Sequence, residues 1–250
     1  MTPLIGAFII ASAFITAAIS GVFGMAGGLL LKGALALVLP VSATFVAHGL
    51  LQLVANGWRA VLHRKHIAWR IIGLYALGAF IAAVVAGLVT VIPTTATLYL
   101  FMGLVPWLVW LPERWVRLDA QRPIQAFICG LSVTGVNLTA GVAGPFLDIF
   151  FVRTSLTRHQ IVATKAATQV FSHLMKIIVY GAPLLAVGGK GLPPLWVFAL
   201  AIPLSMLGTY AGGFLLNRLS DVNFKRYLRL ILSFIGLLYL AQAAQLYLHG

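Results

Sequence analysis

The sequence predicts an all-α polytopic membrane protein of about ten transmembrane segments, two of them short half-helices, built as two inverted five-segment repeats. Three observations predict it. Of the 250 residues, 61% are hydrophobic and 8% charged, which leaves too little polar surface to cover a soluble domain. Apolar runs near twenty residues recur along the whole length, as a bilayer core of about 30 Å requires, whereas barrel strands would alternate in segments of about ten. Finally, one pattern of glycines followed by polar residues occurs twice at a fixed offset of 117 positions.

Taken in order, the apolar stretches place helices at about 3–22, 27–39, 42–62, 71–92, 96–111, 124–140, 145–153, 159–180, 194–216 and 228–248. Residues 1–20 lack a basic region ahead of the apolar run, so this stretch reads as a first transmembrane helix and not as a cleaved signal. Pro40, Pro93, Pro112, Pro123 and the Pro193-Pro194 pair mark boundaries. The stretches 27–39 and 145–153 are too short to cross at full thickness and begin at glycine clusters, so they read as half-helices or re-entrant hairpins.

The net charge of +13 lies in short loops. Arg64, Lys65 and Arg70 share one, Arg114, Arg117 and Arg122 a second, and Arg218, Lys225, Arg226 and Arg229 a third. Lys and Arg gathered in this way are the signal for cytoplasmic loops, and no soluble fold presents them to a nucleic acid. With these loops inside, both termini fall outside, Arg153 and Arg158 fall inside, and the 181–193 loop, with Lys190 alone, falls outside. Each half then has five crossings, an odd number, so the halves are inverted. The expected organisation is a first repeat at 1–111, a cytoplasmic linker at 112–123 and a second repeat at 124–250, together one domain.

The duplicated pattern supplies the candidate site. Gly24, Gly27 and Gly28 precede the first half-helix, which carries Lys32; His48, Gln52, Asn56 and Arg59 follow. In the second half Gly141 and Gly144 precede the half-helix with Asp148, and Lys165, Gln169, His173 and Lys176 follow. At about 100° per residue each polar quartet falls within an arc of about 80°, one face of one helix. Gln52 and Gln169 lie near mid-helix, where polar groups face a protein interior or a wet cavity. A glycine-broken segment in corresponding positions of two halves marks the midplane site of a secondary transporter. Helix N-termini at the glycine turns suit an anion, with Pro145 at the first helical position. Plainer readings stand beside these. Arg59 and Lys176 snorkel from near the helix ends, the glutamines and histidines tie helices together, and the glycines allow close packing. Asp148, in the first turn of its half-helix, complements the helix dipole or pairs with Lys165 or Lys32; the alternative is a proton relay.

Several chemistries are excluded. Cys129 stands alone, so neither a disulfide within the chain nor a thiolate metal cluster forms. The six histidines are scattered over different segments, and there is no P-loop or catalytic triad at convincing spacing. No cofactor, metal or enzymatic activity is expected.

At these glycine turns, and in the stretch from Ala163 to Lys176, the chain resembles the TauE/SafE sulfite exporter family, also called the four-toluene-sulfonate uptake permease family. The resemblance covers nearly the whole chain. It implies two related halves and transport of sulfite, sulfonates or related organosulfur anions, commonly across a bacterial inner membrane. Two departures stand out: the usual three glycines appear as Ala26-Gly27-Gly28 and Ala143-Gly144-Pro145, and Lys32 and Asp148 occupy half-helices that are mostly apolar in the family. The expected partners are a small anion, the bilayer and, in a homodimer, a second copy. A channel, an intramembrane enzyme and a non-transporting scaffold are the alternatives.

Overall fold

The computed structural model describes the chain apart from residues 24–25, 90–92, 113–114, 116–117, 217–220 and 250, and apart from the side chains of 23, 158, 215–216, 221–226, 228 and 249. The described residues form ten α-helices: α1 (Pro3–Phe23), α2 (Ala26–Ala36), α3 (Val41–Leu62), α4 (Trp69–Val89), α5 (Thr95–Leu104), α6 (Pro123–Thr139), α7 (Gly144–Ile149), α8 (Arg158–Ala186), α9 (Leu195–Leu216) and α10 (Asp221–His249). Five contain stretches long and apolar enough to cross a membrane, at 3–22, 69–89, 159–186, 195–214 and 229–248. Shorter apolar helices run at 26–36, 95–110 and 123–139. The 22-residue α3 has the length to cross but is too polar to stand with the five, because His48, Gln52, Asn56 and Arg59 interrupt it. The polytopic helical class is the one the sequence predicts.

Four boundaries differ most from expectation, each for a local reason, while α2 ends three residues early at Ala36. After Leu104 the chain tightens into a 3-10 turn, Val105–Trp110, because Pro106 offers no N–H to continue the α ladder. The six-residue α7 stops at Ile149, and residues 150–153 form turns. Helix α8 runs on to Ala186 through Pro183, which removes one backbone bond without ending the helix. It starts at a capping box in which Thr157 and Gln160 satisfy each other's backbone N–H groups. Helix α10 starts at Asp221 and so takes in much of the expected 217–229 loop, since no Gly or Pro interrupts 221–235. The positions of Arg114, Arg117 and Arg218 lie outside the described residues.

The packing follows the duplication. Helix α1 lies against α9, α4 against α6, α3 against α8, and α5 against α10. Exchanging the halves (α1 for α6, α2 for α7 and so on) turns the α1–α9 pair into α6–α4 and returns α3–α8 and α5–α10 to themselves. The self-paired helices are antiparallel, as inversion requires. On α3 and α8, Gly49 faces Ile177 while Gly57 faces Val170. On α5 and α10, Gly103 faces Leu240 while the Thr97 and Tyr247 hydroxyls are 3.1 Å apart.

Lipid provides no hydrophobic drive between helices, so their contacts rest on close approach. A Cβ at Gly21 would sit 2.7 Å from the Gly212 backbone, and one at Gly130 would collide with the Tyr75 carbonyl. Two apolar clusters flank the α3–α8 pair. One gathers Ile9, Leu31, Leu35, Leu51 and Val197 from α1, α2, α3 and α9; the other gathers Tyr75, Cys129, Val133 and Leu147 from α4, α6 and α7, with Phe150 from the turn after α7. The fold thereby holds two polar helix faces against each other at its centre.

A candidate anion site where α3 crosses α8

The amphipathic faces of α3 and α8 meet because each helix turns its polar quartet inward, with Lys165 alone of the eight only partly buried. His48, Gln52, Asn56 and Arg59 on α3 are buried, as are Gln169, His173 and Lys176 on α8. A cavity of about 30 Å³ lies between them. It is lined by His48, Gln52, Asn56, Gln169 and His173, by Gly28 and Leu29 of α2, and by residues 142–145 at the start of α7. Space of this size holds about one or two waters, so a bound oxyanion would sit in direct contact with the walls.

Along α3 the side chains form a ladder. Asn56 Nδ2 donates to Gln52 Oε1 at 3.1 Å and to the Gln52 carbonyl at 3.0 Å. Arg59 donates to Asn56 Oδ1 at 3.5 Å and to Ser20 Oγ on α1 at 3.2 Å. At the other end Lys176 donates to the Gly141 carbonyl at 2.6 Å and to His48 Nδ1 at 3.2 Å. His48 Nε2 then donates to the Gly28 carbonyl at 2.9 Å. Both nitrogens of His48 are thus committed, so this histidine aligns Lys176 and does not itself supply the positive charge expected of it. His173 stands edge-on to His48, with ring centroids 5.5 Å apart.

Several wall groups have no partner. The Nε2 of Gln169, the Nδ1 of His173 and both amide atoms of Asn137 are buried without a hydrogen bond. Unpaired buried polar atoms are rare in folded proteins and each calls for an explanation. Here four of them surround one cavity.

Sequence reasoning missed two polar lining residues, Ser20 on α1 and Asn137 on α6. A signal was present, because the 117-position offset that relates Gln52 to Gln169 also relates Ser20 to Asn137. A hydroxyl network was missed as well. Tyr75 and Thr134 lie 2.6 and 2.8 Å from Ser172 Oγ, which fixes the turn of α8 that carries His173.

The glycines divide by role. Gly28 and Gly144 line the cavity, whereas Gly27 packs so closely on Thr16 and Ser20 that a side chain there would collide. Gly141, at φ 77°, adopts a turn that other residues resist, and this aims its carbonyl at Lys176. Gly24 lies outside the described residues.

Asp148 and Lys32 depart from expectation. Asp148 is the fifth of the six residues of α7, so it does not complement that helix's N-terminus. It forms an ion pair with Lys165, which also lies within electrostatic reach of Arg59. Pro145 is likewise the second helical residue, after Gly144. Among the described residues, Lys32 pairs with no carboxylate. Its ammonium lies fully buried, 3.3 Å over the Phe45 ring, with no hydrogen-bond partner. Among the described residues, no group of three or more His, Cys, Asp or Glu side chains could hold a metal.

A sequence model of the family described as Sulfite exporter TauE/SafE matches residues 9–239 of the chain. No curated protein and no solved structure matches it. The chain therefore belongs to the TauE/SafE family: it is a multi-pass membrane transporter, not an enzyme.

Proposed function

We propose that this TauE/SafE transporter carries a small oxyanion, sulfite foremost, by alternating access around the cavity between α3 and α8. The observation that carries the proposal is the set of unpartnered groups at Asn137, Gln169 and His173, buried at one point between two helices of opposite direction. Gln52 and Gln169 donate to the anion. Arg59 and Lys165 on one side, and Lys176 braced by His48 on the other, supply the field that offsets its desolvation. The start of α2 adds the positive end of an 11-residue helix; the six-residue α7 contributes backbone approach more than dipole. The halves, 1–111 and 124–250, rock about the site across the 112–123 linker. The small size of the cavity favours a carrier over a channel, since a conduit needs a continuous wide path.

Family membership and the Lys/Arg loops support placement in a bacterial inner membrane with both termini outside and the loop at Arg64–His66 in the cytoplasm. A reporter fused after residue 65 that is active outside the cytoplasm sinks this orientation. The transport proposal is tested in proteoliposomes. Preloaded sulfite should accelerate uptake of labelled sulfite, and sulfite, thiosulfate or sulfonates should raise the melting temperature of the purified protein. Uptake that grows linearly with concentration, without counterflow, defeats the carrier reading.

A further inference from the structure

Asn137 on α6 is wholly buried, lines the cavity, and leaves both Oδ1 and Nδ2 without a partner. A carboxamide offers an acceptor on one branch and donors on the other. A bare oxyanion is all acceptor. It satisfies Asn137 Nδ2 and Gln169 Nε2, but sets its own lone pairs against Oδ1. Turning the amide over leaves the same difficulty, because one branch still needs a donor.

No neighbouring side chain donates to Asn137 Oδ1 in this structure, and Gln169 Nε2 and His173 Nδ1, the other unpartnered groups of the lining, are left to face the anion. Asn56 Nδ2 is held by Gln52, His48 Nε2 by the Gly28 carbonyl, and Lys176 by Gly141 and His48. On α1, Ser20 accepts from Arg59, and its hydroxyl makes no bond to Asn137 Oδ1. The cavity, at about 30 Å³, is small for an anion and a bridging water together, which favours direct contact with the ligand.

We infer that the site takes a singly charged sulfur oxyanion that itself carries a hydrogen-bond donor, with Asn137 Oδ1 as the acceptor. The inference rests on the anion-site reading above and narrows it. Hydrogensulfite fits, and so does a sulfonate with an N–H or O–H next to the sulfur; the sulfite dianion does not. A site built around a hydrogen bond rejects the analogue that lacks it, because its own polar group is then buried unpaired.

Sulfamate and methanesulfonate test this cleanly. Both are monoanions of similar shape across the working pH range, and they differ by an amino group against a methyl. His48 and His173 line the cavity from α3 and α8, with Arg59, Lys165 and Lys176 at its ends, and their titration acts equally on both probes. By calorimetry on the purified full chain, sulfamate should bind at least about tenfold more tightly, the difference one satisfied acceptor makes. Asn137→Leu should bring the ratio close to one while methanesulfonate still binds. Equal wild-type affinities, or a preference for methanesulfonate, overturn the inference, and so does a tenfold preference that survives Asn137→Leu. The wild-type ratio needs no variant, so a misfolded Asn137→Leu protein does not shelter the proposal. Binding of neither anion overturns the anion site itself, a different failure from equal binding.

Discussion

The α3–α8 pair ends in two cation clusters built from equivalent positions. The 117-position offset relates His48 to Lys165 and Arg59 to Lys176. At one end Lys176 is fully buried and held by a carbonyl and an imidazole, with Lys32 and Gly141 sealing the layer above. At the other, Lys165 meets a carboxylate, and the pair reaches the surface, with side-chain exposures of 19% for Lys165 and 34% for Asp148. Duplication has placed positive charge at both ends, and the neighbours have made one end sealed and the other accessible. In the proposed carrier mechanism these ends would be the two gates, and the sealed one would have to open in the opposite state.

The largest expected effect lies at the centre, where the two ends should make little difference. A hydrogen bond to a charged ligand contributes about 1.5–3 kcal/mol, so Gln169→Ala should raise the sulfite concentration for half-maximal transport by about ten- to a hundredfold. Gln52→Ala should cost less, because its Oε1 is already engaged by Asn56. Both proteins should insert and fold normally. Wild-type transport by both would show that the ends are not gates to a site at their midpoint.

The accessible end comes next. Asp148→Asn leaves the Lys165 ammonium without its counter-charge. Breaking a fully buried pair costs about 3–5 kcal/mol, and partial exposure reduces this to an expected loss of about 2 kcal/mol. Melting temperature should drop by several degrees, and Lys165→Met in the same chain should recover it. A stable Asp148→Asn protein that exchanges sulfite but fails to follow a proton gradient makes Asp148 a proton relay. If it is stable and normally driven, the carboxylate does not distinguish the two ends.

How much of this was legible from residues alone depends on how each feature is encoded. The fold class and the α3–α8 faces were readable because cost in lipid forces polar residues into one arc, so spacing betrays the buried face. Ser20 and Asn137 were not picked out, since each is a small polar residue in a mostly apolar helix, where the ordinary reading is a bond to nearby backbone. The role of Lys32 was hidden for another reason. Sequence suggests an ion pair for a buried lysine, whereas an aromatic face 3.3 Å away leaves no trace in local spacing. The dipole reading of Asp148 failed on the helix start, because α7 begins at Gly144, one residue earlier than expected, which puts Asp148 past the first turn. Element boundaries at Pro106 and Pro183 show that one residue type ends an α-helix in one setting and is absorbed in another.

Chemical labelling probes the same contrast at a smaller scale. Cys129 is the chain's one native thiol and is fully buried, so it gives little background. A cysteine at Lys165→Cys should react with a membrane-impermeant thiol reagent about tenfold faster than one at Lys176→Cys, since reaction needs an accessible thiolate. The labelling at 165 should come from the cytoplasmic side. Saturating sulfite should narrow the difference as the sealed end opens in part of the population. Equal rates without sulfite would remove the distinction between sealed and accessible ends.

The smallest effect concerns Lys32, and it tests whether the sealed end lies on the transport path. Desolvating an ammonium costs several kcal/mol, which contact with the Phe45 ring, about 2 kcal/mol, offsets in part. Lys32→Met keeps the length and the packing against Phe45, and its sulfur gains about 0.3–1.5 kcal/mol from the ring. The variant should therefore be more stable by about 1 kcal/mol, or about 2–4 °C in melting temperature. A stabilised protein that exchanges sulfite more slowly would mean that the charge is kept to draw the anion through this end when it opens. Reduced stability would instead mean that Lys32 has a partner which the sealed geometry conceals. If stability rises and transport is unchanged, the sealed layer is scaffold alone and the anion leaves by another route.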